Sequence, residues 1–222
     1  MQMNRLLIAC FLLVGLSVGC ASSPEAPLSP RTTRNADGSI TIDFAGMPVQ
    51  GAAEARVAVI EFSDYECPYC ARYATTVFPE LRDRFISTGK VRYAFANFPL
   101  QNHRNAELLA AAAICAGKQD AYWKMHDELF GKRPRTTEGV LDLGRQMGLQ
   151  MQPFEQCLGE DAPLAERIRI DQQIAQVFQV SGTPSFVLGL IDAEGRVVAK
   201  GVIVGAQPFS VFENAITSLV NE

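Results

Sequence analysis

The sequence predicts an α/β fold in which a central mixed sheet with flanking helices carries an inserted all-helical domain. Three observations support this prediction. A β-rich run at 56–62 is followed by a helical pattern and a second strand, which makes a βαβ unit. Helical periodicity then continues without a strand over residues 104–180. Strand patterns return at 185–190 and 196–204, and an amphipathic helix ends the chain.

The first residues are typical of an export signal. Arg5 supplies a positive charge, and residues 6–18 are an apolar run. A helix of that length rises only about 20 Å, against a hydrocarbon core of about 30 Å, so we do not expect a permanent membrane span. The run ends at Cys20 in a stretch that resembles a bacterial lipobox, in which the cysteine is lipidated. Ser17 departs from the usual lipobox, so cleavage without lipidation is the alternative, and Cys10 is a weaker rival site.

The next segment, residues 20–38, is predicted to be a lipid-anchored flexible tether. It is rich in Pro, Ser and charged side chains and has no apolar periodicity. The predicted organisation is a signal peptide at 1–19, the tether at 20–38, an α/β domain at 39–103 and 181–222, and a helical insertion at 104–180.

The first half of the α/β domain follows from its patterns. Residues 39–44 alternate polar and apolar as a short strand does, and 56–62 suit a buried central strand. Residues 71–86 have apolar side chains at helical spacing, and Pro79 predicts a kink within them. Residues 91–95 form the next strand.

The remaining elements are helices, a hairpin and a last helix. The two C-terminal strands are separated by a turn at 192–195, which suits an antiparallel hairpin, and 208–220 form the final helix. The helices predicted in the insertion are 106–116, 119–130, 137–147, 153–158 and 165–178.

The composition excludes two classes of protein. A hydrophobic content of 48% excludes a chain that is mostly disordered. With 20 Lys and Arg against 24 Asp and Glu, the chain lacks the basic excess that binding to phosphate backbones requires, so nucleic acid is not an expected partner.

Cysteine spacing indicates two pairs. Once the signal is removed and Cys20 is lipidated, four thiols remain, and in an oxidising compartment these are expected to pair. Three pairings are possible. The two-residue gap favours Cys67 with Cys70, and Cys115 with Cys157 follows, although the sequence does not prove this pairing.

The Cys67-Pro68-Tyr69-Cys70 motif lies where a strand gives way to a helix. Pro68 suits the first helical turn, which needs no amide donor from it. Free backbone N–H groups and the positive end of the helix dipole favour a thiolate, so Cys67 is expected to be the attacking sulfur. Cys70, one turn later, is expected to be the buried resolving thiol.

A zinc site is the alternative for such a motif, but zinc requires four ligands. The chain has one C-x-x-C, and its two histidines, His103 and His126, are isolated in sequence. We therefore expect no metal and no cofactor beyond the redox-active disulfide, and we interpret both histidines as structural.

Three acidic residues lie near the motif. Glu61 lies on the preceding strand among apolar residues, where a charged carboxylate is costly to bury; the alternative is that it faces water at a strand end. Asp64 and Glu66 lie within three residues of Cys67, and their charge is expected to oppose a thiolate there.

Residues 61–70 resemble the DsbA-like branch of the thioredoxin superfamily. Further matches lie at 98–106, 115–130, 154–158 and 180–186. The resemblance implies a thioredoxin fold with a helical insertion and a cis peptide at Thr183-Pro184 that faces the two sulfurs. It also implies that Pro68, Tyr69, Thr183 and Pro184 contact substrate and that Glu61 shuttles the proton of the resolving thiol.

The expected function is therefore oxidation of cysteine pairs in exported proteins. The resemblance implies a location on the periplasmic side of the bacterial cell envelope, with reoxidation by a quinone-linked membrane partner. We expect a lipid-anchored monomer. The alternatives are an envelope disulfide reductase or isomerase, and a redox-inert module that binds clients or handles metal.

Overall fold

The computed structural model describes residues 31–222, except for the side chains of Asp161 and Ala162. The predicted signal peptide, Cys10, Cys20 and most of the predicted tether lie outside the described residues. None of the helices within 31–222 is long and apolar enough to span a bilayer.

Within the described residues, seven strands form one mixed sheet in the order β1-β2-β7-β6-β4-β5-β3. Strands β4 and β5 are parallel, and the other neighbouring pairs are antiparallel. The strands are β1 (Thr32–Arg34), β2 (Ile40–Ile42), β3 (Val49–Gln50), β4 (Val57–Ser63), β5 (Val91–Asn97), β6 (Ser185–Ile191) and β7 (Val197–Val204).

Helices cover both faces of this sheet and form the insertion between β5 and β6. A π-helical turn, Arg82–Ile86, follows the second helix. The helices are α1 (Pro68–Thr76), α2 (Phe78–Leu81), α3 (Ala106–Gly117), α4 (Tyr122–Lys132), α5 (Thr137–Met147), α6 (Met151–Leu158), α7 (Asp161–Val177) and α8 (Phe209–Val220).

Strand β4 is buried along its whole length, and its alternating side chains divide between two cores. Val57 and Val59 pack in a core with Tyr73 of α1 and with residues of α2 and α8. Ala58 and the other even-numbered residues of β4 pack in a second core with Ile174 of α7. A third core is formed by helices α3, α4, α5 and α6 together with the N-terminal end of α1. The start of α1 therefore lies between the sheet and the insertion.

The predicted fold class is confirmed, and most elements lie where their patterns place them. The kink expected at Pro79 is a break, because α1 ends at Thr76 and Pro79 lies in the first turn of α2. Helix α4 begins at Tyr122 rather than at 119. Asp120 adopts a left-handed φ of 58° and its amide bonds back to Gly117, which closes a turn before the helix.

Two strands were not predicted. Strand β1 lies inside the segment predicted as a flexible tether, so that prediction is wrong for Thr32–Arg34. The β1–β2 hairpin is held at its turn by Asn35, whose Nδ2 donates to Ser39 Oγ at 2.8 Å and to Thr41 Oγ1 at 2.9 Å. Strand β3 has two residues, too few to show a period, and pairs with β5.

Candidate active site

Cys67 and Cys70 lie at the start of α1, and both are free thiols in this structure. Cys67 is the N-cap residue in an extended conformation, and Pro68 occupies the first turn. The backbone N–H groups of Tyr69 and Cys70 are not used by the helix, and both lower the pKa of the Cys67 thiol. Cys67 is 3% exposed and Cys70 is fully buried. An incoming sulfur therefore reaches Cys67 first.

The pKa values of the two thiols are shifted in opposite directions from that of an ordinary cysteine. The pKa of Cys67 falls from 9.0 to about 5, chiefly because the Cys70 thiol hydrogen-bonds to its sulfur. Burial opposes this fall, while Thr183 and the two backbone amides add to it. Burial is the main cause that raises the pKa of Cys70, and the hydrogen bond with Cys67 adds to it. At neutral pH Cys67 is a thiolate and Cys70 is a thiol.

The Thr183-Pro184 peptide is cis and lies against the reactive sulfur. Cys67 Sγ is 3.5 Å from the carbonyl oxygen of Thr183. The loop is also anchored to the residue after β7, because Gly205 N donates to the Pro184 carbonyl at 2.8 Å. The structure therefore brings together the two segments that the resemblance linked, although they are more than a hundred residues apart in sequence.

Tyr69 forms the exposed rim of the site. Its side chain is 59% exposed, and the guanidinium of Arg72 lies 5.3 Å from its ring centre. Arg72 Nη2 also donates to the carbonyl of Ala206 at 3.2 Å. This contact ties α1 to the loop between β7 and α8.

Glu61 lies on β4 and is 1% exposed, so the alternative in which it faces water is wrong. Tyr93 Oη donates to its Oε2, and Tyr73 Oη lies 3.1 Å from Tyr93 Oη. Burial raises the pKa of Glu61 to about 7, although the hydrogen bond from Tyr93 and the nearby Ser63 side chain counteract it. The charge of Glu61 in turn raises the pKa of Cys70, so the two groups are close enough to interact.

Asp64 and Glu66 bond to the connection between β5 and α3. Asp64 Oδ2 accepts from Leu100 N and from His103 Nδ1, both at 2.8 Å. Glu66 Oε2 accepts from Asn105 N at 2.8 Å. The pKa of Cys67 falls although these carboxylates lie near it in sequence, and neither is among the main causes that set it.

The insertion contributes a disulfide and a buried histidine. Cys115 of α3 and Cys157 of α6 form a disulfide with a Cα–Cα distance of 5.7 Å, and both are buried. His126 is 1% exposed, with Nδ1 3.2 Å from Tyr65 Oη. Burial lowers the pKa of His126 to about 3, so its ring is neutral and part of the core.

Several residues near the site were missed by the sequence reasoning. Tyr93 contacts Glu61 because of the pairing of β4 with β5, and Tyr73 contacts Tyr93 because α1 packs on the sheet. Neither contact is predicted by a local sequence pattern. Arg133 donates from Nη2 to the carbonyl of Glu66 at 3.1 Å, across the boundary with the insertion. Ser63 could have been found, since strand alternation places it on the same face as Glu61.

A model of the family described as thioredoxin matches residues 45–197. Disulfide bond formation protein D of Bacillus subtilis is 31% identical over 150 residues, which are 63% of this chain and 66% of that protein. The Na(+)/H(+) antiporter NhaA 3 of Salinispora tropica is 35% identical over 140 residues, which are 62% of this chain and 21% of the antiporter. The matches thus span less than two thirds of these relatives.

A solved structure extends the likeness to the fold. The crystal structure of oxidised BdbD from Bacillus subtilis superimposes with a TM-score of 0.70 at 22% identity, covering 88% of this chain and 98% of that one.

Proposed function

Since the chain belongs to the thioredoxin family, we propose that it is a DsbA-like thiol-disulfide oxidoreductase whose reactive centre is Cys67 and Cys70. The observation that carries the proposal is the asymmetry of the two thiols. One is a thiolate at the N-terminal end of a helix, and the other is a thiol one turn later that is fully buried. Exchange needs one sulfur that attacks or leaves easily and a second that resolves the mixed disulfide.

In the oxidising direction, a substrate thiolate attacks Cys67 Sγ of the Cys67–Cys70 disulfide. The new S–S bond joins substrate and Cys67, and Cys70 leaves as a thiolate that must take up a proton. A second substrate thiolate then attacks the substrate sulfur of the mixed disulfide. Cys67 leaves with the electron pair, the substrate gains a disulfide, and the protein is left as a dithiol.

Other site residues have roles in this scheme. Glu61, with a pKa of about 7, can give or accept a proton at neutral pH, and we assign it the proton of Cys70. Thr183 and Pro184 lie beside the reactive sulfur and are suited to contact an extended substrate backbone. Pro68 and Tyr69 form the rim that substrate side chains meet first.

The lowered pKa of Cys67 favours oxidation of substrates. At pH 7 a thiol with a pKa of about 5 stabilises the reduced protein by about 2.7 kcal/mol, at 1.36 kcal/mol per pH unit. Because 30 mV corresponds to about 1.4 kcal/mol, the potential rises by about 60 mV relative to a dithiol with ordinary thiols. This direction agrees with the name of the Bacillus subtilis relative, disulfide bond formation protein D.

The proposal includes partners and location. Substrates are cysteine-containing exported proteins, and reoxidation requires a membrane partner linked to quinones. The chain would act on the periplasmic side of the cell envelope, anchored by lipid at Cys20. These points rest on the resemblance and on the signal-like first residues.

The test is the reduction potential of the Cys67–Cys70 pair in glutathione buffers, read beside trapping by Cys70→Ser. We expect a potential well above the roughly −270 mV of thioredoxin, and mixed disulfides between Cys70→Ser protein and cysteine-containing clients. A potential as low as thioredoxin's would overturn the oxidising direction. Full activity of Cys67→Ser would overturn exchange itself and indicate a redox-inert module.

A further inference from the structure

Two buried side-chain oxygens on β4 have no hydrogen-bond partner among the described residues: Glu61 Oε1 and Ser63 Oγ. Both residues are 1% exposed. Residues two apart on a strand point to the same face, so these two oxygens share one region of the interior. Buried polar groups are almost always hydrogen-bonded, and two without partners at one place indicate a functional arrangement.

This region lies beneath α1. Val57 and Val59, which have the same orientation as Glu61 and Ser63, pack in a core with Tyr73 of α1. Cys70 lies on the same helix, three residues before Tyr73, and is fully buried. The Ser63 side chain lowers both the pKa of Glu61 and the pKa of Cys70, so it lies close to both groups, although its hydroxyl is bonded to neither in this structure.

The other carboxylate oxygen of Glu61 is already occupied. Tyr93 Oη donates to Oε2, and Tyr73 Oη is 3.1 Å from Tyr93 Oη. These two buried hydroxyls fix the carboxylate from one side. Oε1 is left as the oxygen available for proton exchange, on the face that it shares with Ser63.

We propose that the Ser63 hydroxyl relays the proton between Cys70 Sγ and Glu61 Oε1. The inference rests on the proposed function and adds a residue to it. When Cys70 leaves as a thiolate, Ser63 O–H gives its proton to Cys70 Sγ and takes the proton of Glu61 Oε1–H. The products are the Cys70 thiol, an unchanged serine and the Glu61 carboxylate. Resolution by Cys70 runs the same transfer in reverse.

The pH dependence of this transfer is set by few titratable groups. Cys70 and Tyr73 face Glu61 from α1, and Tyr93 faces it from β5. Burial holds the pKa of each tyrosine well above its ordinary value, so neither titrates near neutral pH. The more distant tyrosines whose pKa the charge of Glu61 also raises are Tyr65 and Tyr122.

The test compares Ser63→Ala with Ser63→Thr, which keeps a hydroxyl on a strand-compatible side chain. The measurement is the single-turnover rate at which dithiothreitol reduces the Cys67–Cys70 disulfide, corrected for the thiolate fraction of the reagent, as a function of pH. We expect the wild-type rate to fall as Glu61 deprotonates near pH 7. Ser63→Ala should be slower below that pH by about tenfold or more and should lose this dependence, because general acid catalysis contributes at least that much. Ser63→Thr should retain both the wild-type rate and its pH dependence.

A double substitution separates relay from packing. If Ser63 acts through Glu61, Ser63→Ala with Glu61→Gln should be no slower than the slower single variant. The relay would be overturned if the rate reductions of the two single substitutions multiply in the double variant. It would also be overturned if Ser63→Ala has the wild-type rate and pH profile. Alkylation of Cys67 at equal rates in all variants shows that the site is folded. Trapping of clients by Cys70→Ser tests the proposed function separately, so failure of the relay leaves that function standing.

Discussion

Replacing Cys70 by Ala should raise the pKa of Cys67, because the Cys70 thiol is the largest cause that lowers it. The pKa of Cys67 falls from 9.0 to about 5, which is a drop of about four pH units. The Cys70 thiol is the largest cause of this drop, Thr183 and the backbone amides of Tyr69 and Cys70 lower the pKa further, and burial opposes them.

As the largest of these causes, the Cys70 thiol is expected to account for about one pH unit of the drop. One unit corresponds to about 1.4 kcal/mol of preference for the thiolate. The midpoint of Cys67 ionisation in Cys70→Ala should lie at about pH 6 or above. Cys70→Ser is the matched control, since its hydroxyl still donates to the sulfur, and its midpoint should lie between those of wild type and Cys70→Ala.

The assay is the rate of iodoacetamide alkylation of Cys67 against pH, together with the ultraviolet absorbance of the thiolate. At pH 5 to 6 the reactivity of Cys70→Ala should fall relative to Cys70→Ser, and the two should converge above pH 9. Equal midpoints in the two variants would refute the assignment of the stabilisation to a donor at position 70. The backbone amides at the start of α1 would then have to account for it.

Three further predictions concern stability. The pKa of Glu61 rises from 4.5 to about 7 on folding, so its contribution to stability is full below pH 4.5 and is lost as the pH rises through 7. Glu61→Gln should therefore be more stable than wild type at pH 8, by up to about 3 kcal/mol in urea unfolding. An unchanged unfolding free energy at pH 8 would contradict the burial of the carboxyl group. Replacing Cys115 and Cys157 by Ala opens a 42-residue loop and should lower the unfolding free energy by up to about 4 kcal/mol while exchange at the active site persists. Gly189→Ala should cost about 1 to 3 kcal/mol, since its Cβ would lie 2.3 Å from the Val198 carbonyl oxygen, whereas Gly131→Ala in an open helical position should be neutral or stabilising.

The elements with a clear local period could be predicted from the sequence. Helix α5 has its predicted bounds, because Thr136 caps its start and Gly148 adopts a left-handed φ of 76° at its end. Strand β4 is found one residue later than predicted at each end. Strands β1 and β3 were missed because three and two residues carry no period, and their existence depends on pairing with other strands.

The features of the candidate site can likewise be separated into those that the sequence predicts and those that depend on the fold. The cysteine motif and the position of Glu61 before it could be predicted from the local sequence. The position of Thr183 and Pro184 beside the cysteines was predicted from the family resemblance. The bonding of Asp64 was not predictable, because its partners Leu100 and His103 reach it through the fold. Sequence proximity suggested a charge acting on the sulfur, whereas the structure shows a carboxylate that anchors a loop.

The alternation along β4 restricts how the chain can change in length. Inserting or deleting one residue upstream within β4 would reverse the orientation of Glu61 and Phe62. The carboxyl group would then face α7, and a phenyl ring would lie under the reactive helix. Core packing and proton chemistry would fail together, so tolerated insertions and deletions should fall in the connections and spare residues 57–63.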